Sequence, residues 1–200
     1  MGCVYCYQVA SSDCFKIGRT RNTAVKRLNN VSTGSWKKLS IYREIITDQP
    51  VHLEKQIHRL LDVHRAENGE YFNVTKPQLD NAVEEAEVFL TANLPIIQQA
   101  KKLQHQKPRG TALRLADEEI KALHRDLKEA VRQSFFLAQH IELLQSKLQI
   151  AIGDDLGIDG VALWKWRETV TLNSKLFKSE EPELFEKYKR MSATRCFRLL

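Results

Sequence analysis

Along the first seventy-five residues the spacing of apolar positions changes several times, and each change marks an element. Residues 3 to 10 (CVYCYQVA) and 14 to 18 (CFKIG) are short runs of β-branched, aromatic and cysteine residues, the composition of buried strands. Ser11, Ser12 and Asp13 between them favour a turn, so the two runs predict a β-hairpin. From Thr23 to Val31 the period lengthens. Ala24, Leu28 and Val31 recur at helical intervals, behind a threonine able to cap the first turn. Residues 39 to 47 (LSIYREIIT) predict a third strand, and Pro50 opens a helix with the stripe Leu53, Ile57, Leu60 and Leu61. The order β-β-α-β-α ends on a short extended piece, residues 70 to 74, before Pro77 starts another helix.

From Leu79 to about Leu103 the pattern is again helical, with Val83, Ala86, Leu90, Ile97 and Ala100 broadly on one side and Pro95 as a point of kinking. The stretch HQKPRGT, residues 105 to 111, interrupts it. Beyond Asp117, a residue suited to capping, a heptad of apolar or small residues follows: Ile120, Leu123, Leu127, Ala130, Ser134, Leu137, Ile141, Leu144, Leu148 and Ala151. Such a helix is about 50 Å long at 1.5 Å per residue and cannot bury its stripe on a small domain. It calls for a partner helix, either the preceding one folded back or the same one from a second molecule, which would make a homodimer through residues 117–151.

After Gly153, Gly157 and Gly160 the tail interleaves Trp164, Trp166, Phe177, Phe185, Tyr188 and Phe197 with cations that include Lys165 and Arg195. Two readings stay open there: a small packed subdomain with a basic surface, or a nucleic-acid contact in which rings stack on bases and cations track phosphates. The expected class is therefore α+β, with a small antiparallel sheet and flanking helices at residues 1–76. A helical region at 77–152, with coiled-coil heptads from about 117, and a C-terminal subdomain at 153–200 follow.

A net charge of +6 and a pI near 9.1 favour an anionic partner, although acidic residues are plentiful. No apolar run is long enough to span a membrane, and the N-terminus lacks the order of a signal peptide, so a cytoplasmic location in a bacterial host cell is expected. Cys3 and Cys6 form a C-x-x-C, but on a strand positions three apart face opposite ways, which disfavours a shared zinc ion.

Phosphodiester hydrolysis needs a group that helps deprotonate water, a cation over the phosphate and a carboxylate that holds a metal ion. The N-terminal region offers each. Tyr5 and Tyr7 alternate onto one face of the first strand, and Lys16 lies in the second. Arg27 borders the core from the following helix. Glu54 adjoins the stripe of the next helix, with His58 one turn later. Taken singly, each is equally an ordinary strand aromatic or surface charge.

The ordered set G-C-V-Y, K-I-G-R-T, K-R-L, N-x-V-S-T-G-S, L-E-K-Q-I-H and G-E-Y-F, over about residues 2 to 74, resembles the GIY-YIG endonuclease superfamily. It is most similar to the short phage and bacterial branch whose second motif reads K-I-G. The resemblance implies a three-stranded antiparallel sheet flanked by helices, and DNA strand cleavage with a single divalent ion, Mg²⁺ or Mn²⁺. It implies Tyr5 as a water-activating tyrosine, Arg27 as the helix arginine and Glu54 as the metal-binding glutamate, all gathered around one phosphate. Lys16 stands where many members carry a second tyrosine, which leaves open whether Tyr5 or Lys16 is the base. Asn73 is similar to an asparagine near the domain's end in some branches, and Arg19 reads as a phosphate contact; His64 and Glu70 read as structural. The last fifty residues bear a fainter likeness to the tail of some phage recombination exonucleases, which suggests a phage or prophage source. An alternative is a catalytically weak DNA-binding phage protein whose helical half engages a host repair or defence protein.

Overall fold

Alternation along the first strand sets the architecture of the N-terminal half. In the computed structural model, which describes all residues except 33–37, 67–68, 109, 111–112 and 200, strand β1 (Gly2–Val9) lies between two partners. The end of the N-x-V-S-T-G-S motif and part of HQKPRGT fall outside the described residues. On one face of β1, Val4 and Cys6 join Phe15, Ile17, Leu53, Ile57, Leu79 and Val83 in a buried cluster. On the other, Cys3, Tyr5, Tyr7 and Val9 pack with Ala24 and Leu39. A strand covered on both sides reads as a continuous apolar run rather than an alternation, and that is why residues 3 to 7 (CVYCY) carry no charged or amide side chain. The two cysteines of the C-x-x-C accordingly sit in opposite clusters.

Strand β2 (Cys14–Thr20) completes the predicted hairpin with β1, and β3 (Leu39–Thr47) pairs with the other edge of β1. The extended piece after the second helix contributes β4 (Tyr71–Asn73), paired with β2, so the antiparallel sheet has a fourth short strand in the order β3-β1-β2-β4. The register between β1 and β3 shifts between Cys6 and Tyr7, which leaves Tyr42 as an extra residue in β3. The bulge aims Tyr42 and Arg43 at Asp80, the phenol donating at 2.6 Å and the guanidinium at 2.9 Å.

Three helices flank this sheet. Helix α1 (Ala24–Ser32) starts behind Thr23, whose hydroxyl accepts from the Lys26 N–H at 3.4 Å. Helix α2 (Pro50–Leu60) buries Leu53 and Ile57, each worth about 1.5–3 kcal/mol. Helix α3 (Lys76–Gln104) runs through Pro95 as a single helix and lays Leu79, Ala82, Val83 and Ala86 on the same face as α2. Met1–Leu103 form one unit and Gln104–Leu200 a second.

In the second unit, helix α4 (Glu118–Ile152) begins where expected: the Asp117 side chain accepts from the Ile120 N–H at 2.9 Å. Gly153, at φ +59°, ends it. A two-residue hairpin, β5 (Gly157–Ile158) and β6 (Ala162–Leu163), turns at Gly160. Short helices α5 (Ser174–Glu180) and α6 (Pro182–Tyr188) follow, their Phe177 and Phe185 rings edge to face at 6.4 Å. Most of the tail's rings are exposed, Trp166 by 89% and Phe197 by 84%, so they do not build a packed core. Among the described residues no helix is long and apolar enough to cross a membrane.

Candidate active site

The neighbour of β2 stops short. Strand β4 covers it only from Cys14 to Lys16, and the Ile17 N–H, donating to the Glu70 carbonyl at 3.0 Å, extends that cover by one residue. Among the described residues no strand pairs with this edge of β2 beyond Lys16, and Tyr5 from one face and Glu54 from the other approach its backbone at Gly18 and Arg19.

On one face Tyr5 lies opposite Gly18 in the ladder. A side-chain carbon at position 18 would stand 2.6 Å from Cζ of Tyr5, so the phenol lies across space that only glycine leaves free. The Tyr5 ring stacks on Tyr7 at 4.2 Å, and the Tyr7 hydroxyl donates to the Ala24 carbonyl at 2.6 Å, tying α1 to β1. Burial pushes the Tyr7 pKa up. Helix α1, so anchored, brings Arg27 to the Tyr5 hydroxyl, and that hydrogen bond holds the guanidinium pKa above its ordinary value. Lys16 forms an ion pair with the Glu70 carboxylate and stands 4.8 Å from the centre of the Tyr71 ring.

Glu54 comes from the other direction. Leu53 and Ile57 fasten α2 to the opposite face of the sheet, and Glu54, flanking that stripe, reaches the edge of β2. There its carboxylate accepts from the Arg19 backbone N–H and from Arg19 Nε at 2.6 Å. Burial raises its pKa, opposed by Arg19 and assisted by Glu70. His58, one turn on, lies 3.1 Å through Nε2 from the Ile17 carbonyl, which only accepts, so that nitrogen carries the proton. Its ring packs 4.9 Å from Phe72, and burial lowers its pKa.

Tyr5, Lys16 and Arg27 thus occupy one face, while Glu54 and His58 stand on a helix of the other. Tyr5 and Glu54 approach the Gly18–Arg19 peptide from opposite sides: the phenol lies over Gly18, and the carboxylate holds the N–H of Arg19. Among the described residues no hydrogen bond joins Glu54 directly to Tyr5 or Arg27. Glu70 pairs with Lys16, and its charge adds to the raised pKa values of Arg27 and Glu54 and offsets part of the lowering that burial imposes on His58.

Residues 2–87 match the family model described as the T5orf172 domain. No curated protein and no solved structure matches the chain. The T5orf172 match spans all four strands of the first sheet, α1, α2 and the packed start of α3. A cavity of about 660 Å³ opens on this region beside Glu54, with Arg19, Lys55, His58, Arg59, Asp62, Arg65 and Glu70 on its walls.

Three of these residues carry more than the sequence reading assigned to them. Lys55 and Arg59 lie one helical turn apart on α2, which a helical projection from Glu54 would have revealed. Glu70 precedes the strand that pairs with β2, with Lys16 opposite Tyr71, and only that pairing brings its carboxylate to the lysine. Asn73, by contrast, faces Cys14, four residues along β2 from Gly18 or about 13 Å away at 3.3 Å per residue. Lys165 and Arg195 belong to the second unit, Lys165 just after β6 and Arg195 in a coil whose backbone N–H donates to the Gln104 carbonyl at 2.9 Å. Among the described residues no three His, Cys, Asp or Glu side chains form a group able to hold a metal.

Proposed function

We propose that the N-terminal unit is a GIY-YIG-type endonuclease that hydrolyses phosphodiester bonds in DNA with one divalent cation, magnesium or manganese. The T5orf172 match supports a phage-like nuclease or DNA-binding protein. The observation that carries the finer reading is the shared peptide: Tyr5 over Gly18, Glu54 on the N–H of Arg19.

In this reading Tyr5 helps deprotonate the attacking water, and Arg27, hydrogen-bonded to its hydroxyl, positions the phenol. Lys16, paired with Glu70 as an ammonium, serves as a cation for the phosphate rather than as the base. Glu54 would hold the metal ion, since one carboxylate can suffice for magnesium, and the ion would supply positive charge for the leaving oxygen. Arg19 now holds that carboxylate; an arriving phosphate competes for the guanidinium and so frees Glu54. His58, its N–H committed to Ile17, keeps α2 seated against β2. Lys55 and Arg59 give the incoming strand a basic path along the cavity wall.

Incubation with supercoiled plasmid tests the proposal. Nicking that requires both magnesium and Glu54 is the expected result, and its absence in wild type at any metal concentration would sink the idea. Duplex, single-stranded and forked substrates then define the preference. The Arg19–Glu54 ion pair also favours a second reading, in which the unit binds DNA without cutting and the second unit engages a host repair or defence protein. Unaltered phage fitness after Glu54→Ala, with loss on deleting residues 113–200, would select that reading.

A further inference from the structure

The longest helix carries an apolar seam that is largely exposed. Along α4 the positions Ile120, Leu123, Leu127, Leu137, Ile141, Leu144 and Leu148 are between 36% and 64% exposed, and together with Ala130, Ser134 and Ala151 they follow an unbroken alternation of three- and four-residue steps. Seven exposed aliphatics in one line, about 42 Å long at 1.5 Å per residue, are a costly surface unless another helix covers them. The residues that fill the other positions of the seam, Ala130, Ser134 and Ala151, decide what that helix is.

In a parallel pair of identical helices each seam residue meets its own copy. Ala130, Ser134 and Ala151 would then face themselves, and three of ten layers would be left underfilled. In an antiparallel pair centred between Ser134 and Leu137, every seam residue finds a partner and each small one meets a large one: Ile120 with Ala151, Ala130 with Ile141, Ser134 with Leu137. Leucines fill the two remaining kinds of layer, Leu123 with Leu148 and Leu127 with Leu144. Sliding by one heptad in either direction leaves residues at both ends unpaired. The same register sets Asp126 beside Lys147 on the flank, twice by symmetry, so opposite charges meet where the parallel arrangement would place Asp126 beside Val131.

We propose that α4 is an antiparallel dimerisation helix whose partner is a second copy of this chain, closed by a two-fold axis between Ser134 and Leu137. The C-terminal residues Phe197–Leu199 line a groove with Ile120, Leu123 and Leu127. Ile120, Leu123 and Leu127 beside that groove are still 36–64% exposed.

Sedimentation of the full chain and disulfide trapping test the proposal together, with Cys196, the exposed native thiol, first replaced by serine. A dimer at micromolar concentration is expected. In it, the Leu144→Cys variant alone does not cross-link, because its two copies lie about 25 Å apart along the axis at 1.5 Å per residue. Adding Leu127→Cys to the same chain restores a rapid, near-complete cross-link. A monomer at tens of micromolar, a cross-link through Leu144→Cys alone, or a dimer that neither variant traps would each overturn it. None of these outcomes depends on nuclease activity.

Discussion

The phenol of Tyr5 lies across the backbone of Gly18, at a distance that admits a hydrogen atom and no methyl group. This contact explains why a glycine follows Lys16-Ile17 in a strand, where glycine otherwise weakens pairing. We expect Gly18→Ala to push the ring off its stack with Tyr7 and to break its contact with Arg27. The cost is about 1–3 kcal/mol, as for other overpacked sites, read as a lower urea midpoint, and plasmid nicking falls with it.

Lys16 and Glu70 separate two mechanisms. If the lysine acts as a cation, Lys16→Arg retains nicking within about tenfold, since arginine also binds phosphate. A general base there would lose about 100-fold or more on the same change. Initial rates on supercoiled plasmid, with circular dichroism as a folding control, distinguish these outcomes.

Lys55 and Arg59 make no hydrogen bond or ion pair among the described residues, and both border the cavity beside Glu54. In a Glu54→Gln background that keeps DNA intact, Lys55→Ala with Arg59→Ala should flatten the plot of log affinity against log salt. The expected change is about 0.9 per lost phosphate contact on duplex DNA, or about 1.8 for the pair. An unchanged slope would remove the basic path from the proposal.

His58 is held neutral by burial, its folded pKa lying below the ordinary 6.5. As pH falls below 6.5 the unfolded chain takes up a proton that the folded chain refuses. Stability therefore declines toward acid, by at most about 1.4 kcal/mol per pH unit from this group. Glu54, whose pKa is raised, acts in the opposite sense at lower pH. The difference between wild type and His58→Gln isolates the histidine: urea midpoints of the variant should fall less between pH 6.5 and 5.5.

The cysteines give a check on the fold itself. Burial pushes the thiol of Cys6 up to about 12 and that of Cys3 up to about 11, so neither is a thiolate at neutral pH. Cys196 is exposed. A maleimide at pH 7 should label Cys196 within minutes and leave Cys3 and Cys6 unlabelled until denaturant is added, as mass spectrometry of peptides would report.

Local periodicity was enough to read most elements of the chain. The hairpin, the cap at Asp117, the proline start of α2 and the opposite facing of Cys3 and Cys6 all follow from rules that act over a few residues, and those rules survive folding because packing here does not oppose them. The fourth strand was half legible: residues 70–74 read as extended, but pairing with β2 depends on a partner more than fifty residues away. The candidate site divides the same way. Tyr5, Arg27 and Glu54 stood out through a resemblance in order and spacing, whereas the edge that Tyr5 and Glu54 approach exists only because β4 is short and Gly18 has no side chain. Glu70 joined that edge through long-range pairing, and Asn73 was carried by the same strand to the other end. Sequence determined which surfaces of each element are apolar; tertiary structure decided which charges meet, because a carboxylate's neighbours depend on strand register and helix seating that no local pattern encodes.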